Sequence, residues 1–296
     1  MTRRDISFLS DDCLCSGWFY KPKADGLRPC IVMAHGFGAV KEMRLDAYAS
    51  RFCDAGYNVL VFDYRGFGAS EGYPRRVVDI EMQHEDWRAA IVSAREQDQV
   101  DPERIVLWGS SLSGGHVLAL AAETSGLSGV IAQVPHIYAS AAAKTGTASG
   151  KLSLLLHATW DEGGRILGRT PHYLPASGRP GSVSFMNAPE AAGYLKLVPD
   201  GFVFDQSVAA RAVFEMMNYS PGRNATKISA PTLVQAAIND QTTPASAAIE
   251  FVKKLPNGTL KTYETDHFSP YLGETFEAFV ADQIAFLKKH VPATTP

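Results

Sequence analysis

The run Ile105-Val-Leu-Trp-Gly-Ser-Ser-Leu-Ser-Gly-Gly115 constrains the fold more than any other stretch: an apolar β-type run ends in small residues and passes directly into a helical pattern. This is the layout of a nucleophile elbow. A serine in such a strained strand-to-helix turn projects its hydroxyl from the carboxyl edge of a sheet, and small residues are needed on either side where the backbone doubles back. Gly109 and Ser113 flank Ser111 at two residues each way, so serine stands where the GxSxG pattern has its second glycine. Ser110 would place Trp108 and Leu112 at the small positions, which the turn does not accommodate. Ser113 passes on size, with Ser111 and Gly115 as flanks, but lies five residues beyond Trp108 and inside the first helical turn, so Ser111 is favoured. Taken alone, the segment reads first as a Gly/Ser connector between a strand and a helix. The rest of the chain decides.

From about residue 29, short β-branched runs alternate with longer amphipathic stretches, the pattern of a parallel sheet covered by helices on both faces. Strands are predicted at Cys30–Ala34, Val59–Phe62, Ile105–Trp108 and Val130–Val134, with helices at roughly 42 to 55, 77 to 97 and 112 to 123 after the first three. A β-hairpin over residues 6 to 20, turning at Ser10-Asp-Asp12, precedes them. After Pro135 the alternation stops for about ninety residues that hold scattered helix signals and no clear strand; it resumes with a strand at 232 to 236, a helix near 244 to 255, a strand at 259 to 263 and a helix from about 274 to 289. Structureless loops of that length are uncommon in compact domains, so the interruption reads as a partly helical lid leaving the carboxyl edge, where open α/β sheets bind ligands. The predicted division is a core of residues 1–135 and 226–296 with a cap of 136–225.

A serine hydroxyl is a weak nucleophile unless a histidine takes its proton and an acid orients that histidine. Both candidates follow the interruption. Asp240 comes just after the strand at 232 to 236, and His267 just after the one at 259 to 263. Asp266 adjoins His267, yet neighbouring side chains on extended backbone point apart, which favours Asp240. An oxyanion hole needs two backbone N–H groups aimed at the developing charge. Leu112 supplies one, and Phe37 in His35-Gly-Phe-Gly38, where glycines free the backbone for close approach, supplies the other. His35 reads as structural, and His84, His116, His157, His172 and His290 as core or surface histidines. His136 and Tyr138, at the exit of the fourth predicted parallel strand, either contact substrate or anchor the lid. The glycines of Phe62-Asp-Tyr-Arg-Gly-Phe-Gly-Ala-Ser70 lack the spacing and lysine of a phosphate loop, leaving a structural turn in which Asp63 and Arg65 anchor loops.

Composition narrows the partners. Lys plus Arg total 28 against 31 acidic residues, a net charge of −3 that gives no footprint for nucleic acid or an anionic membrane. The amino terminus lacks a signal-peptide apolar core and no apolar run is long enough to span a bilayer, so a cytoplasmic protein is expected. The four cysteines, Cys13, Cys15, Cys30 and Cys53, fit neither a zinc site nor a disulfide framework and read as reduced thiols. No cofactor and no metal is called for, and a homo-oligomer stays open.

Together, His35–Gly38, Asp63–Ser70, Gly109–Gly115, Asn239-Asp240 and Asp266-His-Phe268 resemble the α/β-hydrolase superfamily over nearly the whole chain. Glu85-Asp-Trp-Arg-Ala89, Leu107–His116 and Val134-Pro-His136 are most similar to its bacterial and fungal polyketide-transferase-type hydrolases, which share serine at the second elbow glycine. The resemblance implies a mainly parallel eight-stranded sheet, a cap between the sixth and seventh strands, a Ser-Asp-His triad, and ester or thioester substrates. Serine at the elbow argues against haloalkane or epoxide chemistry, where the superfamily uses a carboxylate. The leading expectation is a serine esterase or thioesterase acting on a hydrophobic small molecule; acyl transfer with the same residues and a non-catalytic binding scaffold are the alternatives. Apolar residues of the interruption, among them Leu152, Trp160, Ile166, Phe185, Phe204 and Met217, are expected either to wall the pocket or to pack the lid.

Overall fold

The computed structural model describes residues 1–142 and 148–294. A hairpin of β1 (Thr2–Ser10) and β2 (Cys13–Lys21) leads into β3 (Arg28–Ala34), α1 (Leu45–Asp54), β4 (Asn58–Phe62), α2 (Ile80–Arg95), β5 (Val100–Ser110), α3 (Leu112–Glu123) and β6 (Gly129–Gln133). An inserted stretch follows. It carries the short helix α4 (Ala139–Ala142), α5 (Ala148–Ile166), β7 (Tyr173–Pro175), α6 (Ala192–Leu195), β8 (Ser207–Ala209) and α7 (Ala212–Asn218). The alternation then closes with β9 (Thr232–Ala237), α8 (Ala245–Val252), β10 (Gly258–Tyr263) and α9 (Gly273–His290).

Eight strands form one sheet in the order β1-β2-β4-β3-β5-β6-β9-β10, and only β2 runs against the rest. The alternation predicts the helix-covered parallel sheet, and the resemblance implies its eight strands and α/β-hydrolase architecture; the structure has both. Strands β4, β6 and β9 are buried at every residue, which is why they read as continuous apolar runs: helices cover both faces of the sheet. The edge strand β1 is mostly exposed and bears Arg3, Arg4 and Asp5, charges that discourage pairing with another chain. Each fully buried Val, Leu or Ile of the central strands contributes about 1.5–3 kcal/mol.

Sheet register sets the site. Ala34 pairs with Gly109, so the His35-Gly36 loop and the Ser110-Ser111 turn leave the sheet side by side. Ser110 pairs with Gln133, Gln133 with Gln235, and Ala237 with Tyr263, which brings the loops after β6, β9 and β10 to the same carboxyl edge. The reversal of direction around β3 makes this edge the topological switch point.

The inserted stretch departs from its sequence reading in one respect. β7 and β8 pair as an antiparallel two-stranded ribbon where the pattern predicts no strand, because three-residue strands are too short to show period-two patterning. Among the described residues no disulfide forms between the cysteines, and no helix is long and apolar enough to cross a membrane.

Candidate active site

Ser111 sits at the N-cap of α3 with φ +60° and ψ −121°, a backbone conformation that L-residues rarely adopt. Such strain costs on the order of 1–3 kcal/mol and persists only where the surroundings over-determine it. They do so here: Ser111 N–H donates to the Gln133 carbonyl at 2.9 Å, and the Ser111 carbonyl accepts from the amides of Gly115 and His136. A Cβ on Gly109 would lie 2.2 Å from the Ser113 carbonyl oxygen, and one on Gly36 would lie 2.9 Å from the Ser111 Cβ. Both glycines are required by contact. Ser113 fits the turn because its buried hydroxyl accepts a hydrogen bond from Tyr64 Oη at 3.2 Å, while Tyr64 accepts in turn from Trp87 Nε1 at 2.9 Å. The serine in place of the second glycine is thus held by its own partner rather than squeezed.

The three serines separate cleanly. Ser110 is fully buried and accepts from Gln133 Nε2, Ser113 is tied to Tyr64, and Ser111 makes no capping bond to its own helix. Instead Ser111 Oγ lies 3.0 Å from His267 Nε2, and His267 Nδ1 lies 2.6 Å from Asp240 Oδ2. Asp240 Oδ1 accepts the Thr242 and Thr243 amides at 2.8 and 2.6 Å, and Oδ2 also lies 2.9 Å from Thr243 Oγ1. Asp266, the neighbour in sequence, turns away. Its Oδ1 accepts from Phe268 N, Ser269 N and Ser269 Oγ, capping its own loop.

His267 is buried, and burial by itself depresses the imidazole pKa. The Asp240 carboxylate, by charge and hydrogen bond, outweighs burial with help from Glu190 and Asp266, and holds the pKa above the ordinary histidine value. His35 behaves oppositely. Burial pushes its pKa down to about 4, so it is neutral at pH 7; its Nε2 donates to the Met43 carbonyl, its Nδ1 accepts from Gly36 N, and its ring stacks on Tyr271. That is the structural role its sequence context predicts.

Leu112 opens α3, where the first N–H groups have no intrahelical acceptor. Phe37 lies on the facing loop, and its amide has no acceptor among the described residues. This loop is braced from β4: the buried Asp63 carboxylate accepts from Lys41 N at 2.7 Å and Lys41 Nζ at 2.5 Å, and Arg65 Nε donates to Asp86. Asp63 and Arg65 therefore anchor loops, as the sequence suggests.

A cavity of about 280 Å³, part of it open to solvent, meets Ser111 and His267. Its apolar walls are Phe37, Phe268 and Tyr271 from the sheet-edge loops and Met186, Tyr194 and Leu197 from the inserted stretch. Among the described residues no Lys, Arg, Asp or Glu lines it. Of the apolar residues expected at the pocket or under the lid, Phe185 packs on the Phe37 ring at 4.7 Å, whereas Leu152, Trp160, Ile166, Leu167 and Met217 are exposed. His136 and Tyr138 line a different, smaller cavity with Thr243 and Ala247, and the buried His136 ring stacks on Tyr219. Neither is among the residues that wall the Ser111 cavity.

Sequence reasoning missed three features. Thr243 binds Asp240 and lies 3.2 Å from His267 Nδ1; Glu190 reaches both later loops from the insertion; and Gln133, Gln235 and Gln283 form a buried amide network beneath the site with Trp108 Nε1. Thr243 was reachable, since Asp240-Gln-Thr-Thr243 has the spacing of a carboxylate folding back on amides two and three residues on.

An arrangement of this kind can deprotonate a serine as it attacks a carbonyl and stabilise the oxyanion that forms. Several known proteins have related chains. The quorum-quenching protein AidA of Acinetobacter baumannii is 44% identical over 289 residues, covering 97% of this chain and 95% of that protein. The thiohydrolase aneE of Aspergillus aculeatus is 30% identical, with 97% of this chain and 93% of that protein covered. The solved structure of the α/β hydrolase GrgF from Penicillium superposes with a TM-score of 0.84 at 25% identity, covering 98% of this chain and 99% of GrgF; a polyketide transferase of that name is 32% identical over 184 residues, 62% of this chain and 60% of that protein. The family model for serine aminopeptidases of the S33 type matches residues 26–267, and the chain belongs to that family of α/β hydrolases.

Proposed function

We propose that this protein is a serine hydrolase that cleaves a neutral carboxylic ester or thioester through an acyl-enzyme, with residues 136–225 as a cap on a core of 1–135 and 226–296. The observation that carries this reading is the unbroken chain from Ser111 Oγ through His267 to Asp240, 3.0 and 2.6 Å, at the floor of an apolar cavity. Ser111 Oγ attacks the acyl carbon while His267 Nε2 takes the hydroxyl proton, and the Phe37 and Leu112 amides hold the oxyanion. Collapse breaks the bond to the alcohol or thiol, which leaves with the proton returned by His267. Water repeats the sequence and frees the acid. With no charged wall residue among those described, an acyl group carrying its own carboxylate would lose its water without gaining a partner. Met186, Tyr194 and Leu197 of the cap close over the cavity, so long acyl groups require the cap to shift.

The thiohydrolase name of aneE supports the thioester arm. The polyketide transferase name carried by grgF favours a second reading, in which an alcohol replaces water in the second step. A graded series of aryl esters and matching N-acetylcysteamine thioesters is expected to give saturable release that declines with acyl length. A fluorophosphonate is expected to add to Ser111, found by peptide mass. No release and no adduct would overturn the assignment, and product ester formed with added alcohols would favour transfer.

The raised pKa of His267 fixes the acid limb. The neutral imidazole is the base, so kcat/KM falls as pH drops through a pKa above the ordinary value of about 6.5. A pH series with the best ester measures it; a limb below 6.5 would contradict the Asp240 contact.

A further inference from the structure

The inserted stretch meets the site through Phe185 and Met186 and through residues 189 to 197. Glu190, in the single helical turn Pro189–Ala191, accepts with Oε1 from Gln241 N at 3.0 Å and Thr242 Oγ1 at 2.6 Å, and with Oε2 from the His267 backbone N–H at 3.3 Å. Three residues on, α6 is pressed against the histidine loop: a Cβ on Gly193 would lie 2.6 Å from the Phe268 Cβ. Tyr194 Oη donates to the Phe37 carbonyl at 3.3 Å, and Leu197 walls the cavity. One short segment thus touches the loops bearing Asp240, His267 and Phe37. Within that segment, Glu190 is the residue that bridges the first two.

We propose that Glu190 is a positioning residue: its carboxylate, entering from the cap, clips the Gln241-Thr242 loop to the His267 backbone, so that the Asp240–His267 pair is assembled only when the cap is seated. The inference rests on the hydrolase reading given above. Its carboxylate works by geometry and by charge. Three accepted hydrogen bonds orient both loops; burial, with the Asp240 charge, raises the Glu190 pKa above the ordinary carboxyl value, and the Thr242 and His267 hydrogen bonds oppose that rise in favour of the ionised form. The groups facing His267 are Asp240 beyond β9, Asp266 on its own loop, Glu190 from the cap and His35 beyond β3; of these His35 is neutral at pH 7, as are the Tyr194 and Tyr271 phenols of the wall, whose pKa values burial raises. Glu190 is therefore one of three carboxylates that keep the proton on His267. It is the one that leaves with the cap.

Glu190→Gln keeps the shape, removes the charge and turns an amide NH₂ towards one of the backbone donors. Expected are a kcat lower by about tenfold, the loss of one to two hydrogen bonds, and an acid limb of kcat/KM moved down by roughly half a pH unit. KM for the shortest ester should change less than kcat. Glu190→Ala should share the pH displacement, since both lose the charge, and lose more kcat. A second measurement needs no variant: in the unmodified protein the Gln241 and His267 amides should exchange with deuterium far more slowly than free loop amides. A Glu190→Gln protein that labels at Ser111 but keeps the wild-type kcat and acid limb would overturn the clip while leaving the hydrolase intact. Exchange of both amides at free-peptide rates would overturn it too. Absence of labelling in the wild type would instead remove the reading on which it stands.

Discussion

Replacing Ser111 with alanine is expected to lower turnover of an activated ester by about six orders of magnitude while leaving the fold unchanged. The magnitude follows from the absence of a substitute. Ser110 is fully buried and bonded to Gln133, and Ser113 is fully buried and bonded to Tyr64, so neither hydroxyl is free to take the place of Ser111 beside His267. Alanine at φ +60° is as strained as serine, and the Ser111 backbone bonds to Gln133, Gly115 and His136 do not involve the side chain. The melting temperature should therefore stay close to that of the parent. Adding His267→Ala should cost almost nothing further, because residues that act as one unit lose their effect together. Residual rate should stem from the oxyanion amides and the binding of the acyl group. Retention of more than about one hundredth of the activity in a folded Ser111→Ala protein would remove Ser111 as the nucleophile.

The outline of that expectation is legible in the sequence, and the reasons show what a sequence carries. Buried parallel strands cannot alternate, so Cys30–Ala34 and Ile105–Trp108 announce themselves as apolar runs. Loops at their carboxyl ends then inherit a position from the order of the strands, which is why Ser111, Asp240 and His267 can be placed before any distance is known. Ser113 shows the limit. Its fit depends on Tyr64, 49 residues away, and a contact across that separation leaves no mark on the local pattern. Glu190 is more distant still from its partners, 51 and 77 residues from Gln241 and His267, in the part of the insertion after α5, whose helices and ribbon are too short for periodicity to register. The apolar residues of α5 illustrate the reverse error. Leu152, Leu156 and Trp160 recur at helical spacing, which marks a face without saying what it faces, and that face is exposed.

Asp240→Asn is expected to lower kcat by roughly four orders of magnitude, and the orientation of the new amide is dictated by its surroundings. Oδ1 of Asp240 accepts the Thr242 and Thr243 backbone N–H groups, which only an oxygen can do, so the carbonyl of the substituted side chain must stay there. The NH₂ then occupies the position of Oδ2, 2.6 Å from His267 Nδ1, and donates to it. His267 is forced into the tautomer protonated at Nε2, whose N–H points at Ser111 Oγ 3.0 Å away where a lone pair is required. Thr243 can still donate to the Val134 carbonyl, so the loop keeps its anchor and the protein its stability. Asp266 cannot step in, because its Oδ1 is committed to Phe268 and Ser269. The acid limb of kcat/KM should also fall to lower pH, since Asp240 is the largest of the influences that raise the His267 pKa against burial. Raising the pH should restore part of the loss, as deprotonated alcohol or water comes to attack without a base. A folded Asp240→Asn protein with a wild-type pH profile, or within about tenfold of wild-type kcat, would show that His267 is oriented by some other group.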